Sequence, residues 1–194
     1  FGLVSDLWGD APYTDALKAE LGDAVYNFPK YDGQEVIYRG IIDELVQANE
    51  ILSRPDASYE VLANADVYFG GKASKWRRFA NSLALRYYMR LSEKSPAFAK
   101  QGIESMLANT DKFPLITSST DDVLMDFVGN NANDSWPSNT LYDASGSNFR
   151  RMKMCATLVD RLQELGDPRL MVWARKIDIP IEIRSSEPSG TDKI

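Results

Sequence analysis

The chain has 194 residues, of which 44% are hydrophobic, 26% charged and 11% aromatic. That length suits one domain, which can bury roughly 70% of the surface of the unfolded chain, and so many aromatic residues exclude intrinsic disorder. The net charge of −6 excludes a typical nucleic-acid-binding protein, because such a protein needs a cationic surface to meet phosphate. No apolar run approaches the ~18 residues of a membrane-spanning helix.

The sequence contains no histidine and one cysteine, Cys155. Serine–histidine and cysteine–histidine nucleophile systems are therefore excluded, and the commonest transition-metal ligand is missing. A single cysteine permits no internal disulfide and no thiolate cluster. Pairs of neighbouring carboxylates arise by coincidence among 28 acidic residues, so such pairs do not identify catalytic residues, and we assign none. We also expect neither a bound metal nor a cofactor.

Helical periodicity dominates the chain. Apolar residues spaced three and four apart predict helices over residues 34–52 and 74–93, a third that opens at Ser95–Pro96, and a fourth over 152–165. The fourth helix places Cys155 on its apolar stripe, where we expect a core residue.

The starts and connections of these helices carry further signals. Asp32 and Glu35 have the spacing of a capping box at the start of the first helix. The second and third helices are joined by only a few residues, which predicts an antiparallel αα-hairpin. Small residues on the third helix, Ala99 and Gly102, would let bulky side chains of the second approach closely. This geometry is that of tetratricopeptide-type helix pairs, so we predict an all-α fold with long irregular loops.

Three segments lack helical periodicity. Residues 110–150 are rich in Asn, Ser, Thr, Asp and Gly, and a loop of that length in a compact domain is usually functional. The opening stretch from Trp8 to Tyr13 is also irregular and aromatic, and residues 185–194 resemble a loosely ordered tail. We therefore expect one helical domain over residues 1–184, with a loop-rich insert at 110–150.

The loop-rich insert holds the candidate ligand-binding residues. A flat aromatic ring stacks on the apolar face of a pyranose, while amide and carboxylate groups bond the sugar hydroxyls. The residues that fit this pattern are Trp136, Tyr142, Asn133, Asp134 and Asn139. The alternative, in which these rings only anchor an irregular loop on the helices, stays open at this point.

Four stretches, in this order, resemble the SusD/RagB family. They read DLWGDAPYTDA at residues 6–16, PKYD followed by VIYRGI at 29–41, YFGGKASKWRRFANSLALR at 68–86, and LVDRLQELGDPRL at 158–170. The third is the most specific, and within it we expect Trp76 and Phe79 to be core residues. Together the stretches are distributed in order along most of the span of residues 3–170, which makes chance similarity improbable.

The resemblance implies an all-helical fold with tetratricopeptide-like helix pairs. It further implies a lipoprotein on the outer face of a Gram-negative outer membrane, which captures glycans or peptides for a SusC-like TonB-dependent transporter and has no catalytic residues. The lipid anchor would lie outside this chain, and nucleic acid is not an expected partner. Family members are usually much longer, and this chain opens in mid-pattern, so we expect it to be part of a longer protein.

These observations lead to a binding protein for glycan as the first hypothesis. The alternatives are a peptide-binding importer component and a tetratricopeptide-like adaptor that binds protein segments. A carboxylate glycosidase ranks far below these.

Overall fold

The computed structural model describes residues 1–54, 63–136 and 153–174. These residues fall into two compact units, one over Phe1–Asp126 and one within Phe127–Ile194. The helices are α1 (Gly2–Trp8), α2 (Gln34–Leu52), α3 (Ala73–Arg90), α4 (Pro96–Ala108), α5 (Ala156–Glu164) and α6 (Arg169–Trp173), and the strands are β1 (Ala11–Pro12) and β2 (Tyr31–Asp32). The predicted all-α class is therefore confirmed, whereas the single domain over 1–184 remains a prediction.

Helix α1 and strand β1 replace the irregular opening that the sequence suggested. Trp8 is the last residue of α1, and β1 pairs with β2 in antiparallel register, with Ala11 opposite Asp32. Helix α1 turns its small residues, Gly2 and Ser5, inward and leaves Leu7 and Trp8 exposed. Its apolar residues thus form no buried stripe, which is why periodicity did not reveal this helix.

Helix α2 has the predicted extent, but the predicted capping box is wrong. Its N-cap is Gly33, which has no side chain to bond the helix start. The carboxylate of Asp10 accepts the Gln34 amide at 3.0 Å instead. Asp32 lies in β2 and accepts hydrogen bonds from the backbone amides of Tyr13 and Thr14. The start of α2 is thus capped by a residue from a distant part of the chain, which local spacing in the sequence cannot show.

Helices α3 and α4 form the predicted hairpin in the first unit. The most buried residues of α3 are small, Ala80, Asn81 and Ala84, so its neighbours approach closely. The ring of Tyr88 lies directly over Gly102 of α4 and fills the space that a Cβ atom there would take. Two apolar clusters hold the three long helices together: Tyr38, Ile42, Leu91 and Ala99, and Ala84, Met106 and Phe113.

Trp76 and Phe79 are only half-buried, so they lie at the edge of this core rather than in its centre. Leu107 on α4 is also exposed. The buried face of α3 is centred on Ala80 and Ala84, and this rotates Trp76 toward the rim of the helix pair.

In the second unit, α5 begins four residues later than the sequence predicted. Cys155 is its N-cap and is exposed, so the prediction that it is a core residue is wrong. A residue at the N-cap has extended backbone dihedrals and lies outside the helical repeat, so the apolar stripe does not include it. Of the apolar residues on α5, Leu162 is the buried one.

Candidate functional site

The predicted ligand-binding residues that the structure describes lie in one short loop, residues 127–136, in the second unit. Asp134 closes this loop, because Oδ1 accepts the Asn131 backbone amide at 2.7 Å and Oδ2 accepts the Asn131 side-chain amide at 3.0 Å. Asn131 Oδ1 in turn accepts the Asn133 backbone amide at 2.9 Å. Gly129 has a φ of +76°, a left-handed conformation that glycine adopts without strain. The loop is therefore fixed by its own side chains.

Trp136 follows this turn with its ring 56% exposed. Phe127 supports the indole edge-to-face, with ring centroids 5.5 Å apart and an interplanar angle of 79°. Two rings arranged this way restrict each other while leaving ring surface accessible. Among the described residues, Phe127 thus packs against Trp136 without covering it.

The other predicted ligand-binding residues differ in their roles in this loop. Asn133 is exposed, and its side-chain amide has no hydrogen-bond partner within the described residues of the loop. Both carboxylate oxygens of Asp134 already accept bonds inside the turn, so its first role is to shape the loop. Tyr142 and Asn139 lie outside the described residues. An accessible indole and an accessible amide in one short loop are the groups that contact the face and the hydroxyls of a sugar ring.

Sequence reasoning missed a second feature, a compact loop over residues 66–71 at the start of α3. The carboxylate of Asp66 accepts the backbone amides of Tyr68 and Phe69, both at 3.1 Å, and that of Gly71 at 2.7 Å. It also accepts the indole N–H of Trp76 at 2.7 Å. Gly70 and Gly71 have φ of +58° and +78°, which curls the backbone around the carboxylate. The two glycines thus shape the loop around the Asp66 carboxylate of the same chain.

These hydrogen bonds change the acidity of Asp66. Desolvation raises the pKa, but the donation from Trp76 and the three backbone amides together lower it to about 2. The carboxylate therefore stays ionised at neutral pH and holds Trp76 in one orientation.

An apolar pocket of about 400 Å³ opens beside this loop. The described residues that line it are Ala65, Asp66, Val67, Tyr68 and Trp76. The rings of Tyr68 and Trp76 stand nearly perpendicular, at 86°, with centroids 5.9 Å apart. Phe69 is buried and packs against Trp76, with ring centroids 5.1 Å apart.

A larger cleft, of about 550 Å³, lies where α1 meets the ends of α2 and α3. Its wall is a polar network in which the Tyr38 hydroxyl and the Arg90 guanidinium both donate to Asp6. Desolvation and the bond to Asp6 raise the pKa of Tyr38. These groups satisfy one another's hydrogen-bonding and charge requirements. We therefore interpret the network as a structural link between α1, α2 and α3.

Comparison with known proteins places these features in a family. A family model named SusD-like, described as "Starch-binding associating with outer membrane", matches residues 1–187. The chain belongs to the SusD-like family. The resemblance found in the sequence is thereby confirmed, and the search of curated proteins finds no match.

Solved structures of SusD-like proteins agree with this assignment. The Bacteroidetes AC2a SusD-like protein is 30% identical, with a TM-score of 0.60 over 88% of this chain and 31% of its own. A SusD-like protein from Bacteroides thetaiotaomicron is 26% identical, with a TM-score of 0.61 over 87% of this chain and 32% of its own. An outer-membrane protein from Bacteroides vulgatus, described in connection with nutrient binding, is 29% identical. Its TM-score is 0.59, over 84% of this chain and 33% of its own.

The chain thus spans about a third of the length of the SusD-like proteins it matches. Within residues 1–54, 63–136 and 153–174, every helix is too short or too polar to cross a bilayer.

Proposed function

We propose that this SusD-like protein captures glycan at the 127–136 loop, with Trp136 as the stacking ring and Asn133 as a hydroxyl partner. The observation that carries the proposal is the accessible indole of Trp136 on a loop that the Asn131–Asp134 turn fixes in advance. A fixed ring loses little conformational freedom when a ligand binds, so stacking costs little ordering entropy. The family's description as starch-binding supports a glycan over a peptide.

The family assignment supports a wider role for the protein. We propose that the whole protein lies on the outer face of an outer membrane, held by a lipid anchor outside this chain, and delivers its ligand to a SusC-like TonB-dependent transporter. In this proposal the site holds its ligand non-covalently, and the protein delivers the ligand without catalysing a reaction, as the family resemblance implies. The binding is expected to be weak, since an open site competes with water for each hydroxyl.

Replacing Trp136 tests the site directly. Trp136→Ala should weaken binding of the oligosaccharide that the wild-type protein recognises by roughly tenfold, because the stacking surface is lost. The thermal midpoint should stay unchanged, since the ring is largely exposed. Affinity is measured by isothermal titration calorimetry and stability by thermal unfolding.

The matched control is Trp173→Ala, which removes a tryptophan that is 53% exposed on α6 in the same unit. Its affinity should equal that of the wild type. An equal loss in both variants, or no loss in Trp136→Ala, would remove Trp136 from the binding site.

A further inference from the structure

The pocket beside the 66–71 loop combines an apolar wall with a fixed aromatic ring. Trp76 is oriented by the Asp66 carboxylate at its indole nitrogen and by Phe69 and Phe79 at its ring, with centroids 5.1 and 6.0 Å away. The indole nitrogen is already bonded, so what Trp76 presents to the pocket is ring surface. Tyr68 supplies a second ring at a right angle, 44% exposed.

The pocket's charge restricts the kind of ligand. Of the described residues that line it, only Asp66 is charged, and its two oxygens together accept four hydrogen bonds. An anionic ligand would therefore meet no cation there, and a cationic ligand would find both Asp66 oxygens already occupied by hydrogen bonds, so desolvating either would be costly. The pocket instead suits a neutral molecule that has one apolar face and a polar edge.

We propose that this pocket, between Val67, Tyr68 and Trp76, is a second ring-stacking subsite that takes one neutral pyranose unit. The inference rests on the proposed function, because it assumes that the ligand is a glycan. A pyranose has an apolar face for an aromatic wall and hydroxyls that can reach the Tyr68 hydroxyl, which has no partner among the described residues. The volume of about 400 Å³ lies within the range of about 300–1,000 Å³ for small-ligand sites.

A second subsite has a functional consequence. A glycan chain repeats its sugar units, so two subsites for the same unit raise the chance that a unit is held at any moment. The residues of the two subsites are separate: one depends on Trp136 and the other on Trp76. Each can therefore be removed without touching the other.

The test uses indole N–H signals of the 15N-labelled protein, in which four tryptophans give four reporters. Signals are assigned through single Trp→Phe variants, and the protein is titrated separately with maltoheptaose, xylohexaose and laminarihexaose. We expect at least one of these sugars to move the Trp76 signal in a saturable way. Movement of Trp136 alone would overturn the second subsite and leave the proposed function standing. If neither signal moves with any of the three sugars, both proposals are contradicted.

Tyr68→Ala tests the pocket without removing Trp76. The variant should weaken saturation of the Trp76 signal threefold to tenfold, as expected for the loss of one aromatic contact, and leave the Trp136 signal unchanged. The control is Tyr31→Ala, which removes a tyrosine that is 75% exposed in the same unit. An unchanged Trp76 titration in Tyr68→Ala, with the fold intact by circular dichroism, would contradict the proposal.

Discussion

At the scale of single residues, this acidic chain uses several of its carboxylates to organise its own backbone. Asp10 receives the first amide of α2, Asp32 receives two amides of the segment after β1, and Asp66 and Asp134 each close a loop. Such groups are satisfied internally, so the net charge of −6 does not by itself describe a ligand. We propose that accessible rings next to loops closed by these carboxylates contact the ligand instead.

Asp66→Asn tests this use of carboxylates. The pKa of Asp66 is lowered from 3.8 to about 2, so its stabilisation is complete above about pH 5 and is lost as the pH falls through 3.8 toward 2. The amide variant should have a lower thermal midpoint at pH 7 and should lose less stability than the wild type between pH 4 and pH 2. Unfolding curves across that range measure both effects.

Asp122→Asn is the control, because Asp122 is exposed in the same unit. It should keep the wild-type midpoint and acid profile. Identical acid profiles for Asp66→Asn and the wild type would show that the carboxylate does not hold the loop.

At the scale of elements, tyrosine rings packed on glycines bring the helices together. Tyr13 lies over Gly40 of α2, Tyr87 over Gly2 of α1 and Tyr88 over Gly102 of α4. Each contact lets an aromatic ring occupy the place of a missing side chain. The Tyr87 and Tyr88 pairs let two helices approach closely, and the Tyr13 pair brings the segment after β1 onto α2.

Gly102→Ala should therefore destabilise the protein, although glycine to alanine in an exposed helix normally stabilises by about 1 kcal/mol. The added methyl group overlaps the Tyr88 ring, and such overpacking typically costs about 1–3 kcal/mol. The free energy of unfolding in urea measures the change. Gln101→Ala, at the exposed neighbouring position of α4, should leave stability within about 0.5 kcal/mol. A Gly102→Ala variant that is more stable than the wild type would contradict the close packing.

The same elements show how far the sequence predicts this fold. The extents of α2 and of the α3–α4 hairpin follow from periodicity, because each buries an apolar or small-residue stripe against a neighbour. The sequence did not reveal α1, which buries Gly2 and Ser5, or the N-cap position of Cys155, because neither belongs to an apolar repeat. The cap that Asp10 provides for α2 depends on contacts 24 residues apart, which spacing rules do not reach.

Part of the candidate site could likewise be predicted from the sequence, and part could not. The grouping of Trp136 with Asn133 and Asp134 followed from composition, since they are neighbours in the chain. The closing role of Asp134 and the support from Phe127 depend on backbone geometry, and so does the Trp76 pocket, which forms only when the glycine turn curls around Asp66.

At the scale of the whole molecule, the family assignment and the local geometry point the same way. The chain spans about a third of the SusD-like proteins it matches, and within it the two proposed subsites belong to separate loops. The two loops, each closed by a carboxylate, present aromatic surface. On this basis we propose that the chain captures a repetitive neutral ligand and not a charged one.

The measurement that tests the central claim most directly is calorimetric titration of the wild-type protein with neutral oligosaccharides, with a panel of peptides run alongside. The account predicts saturable heat with at least one oligosaccharide, starting with maltoheptaose, and none with the peptides. Saturation with peptides alone, by a folded protein, would contradict glycan capture and favour the peptide-binding or adaptor alternatives.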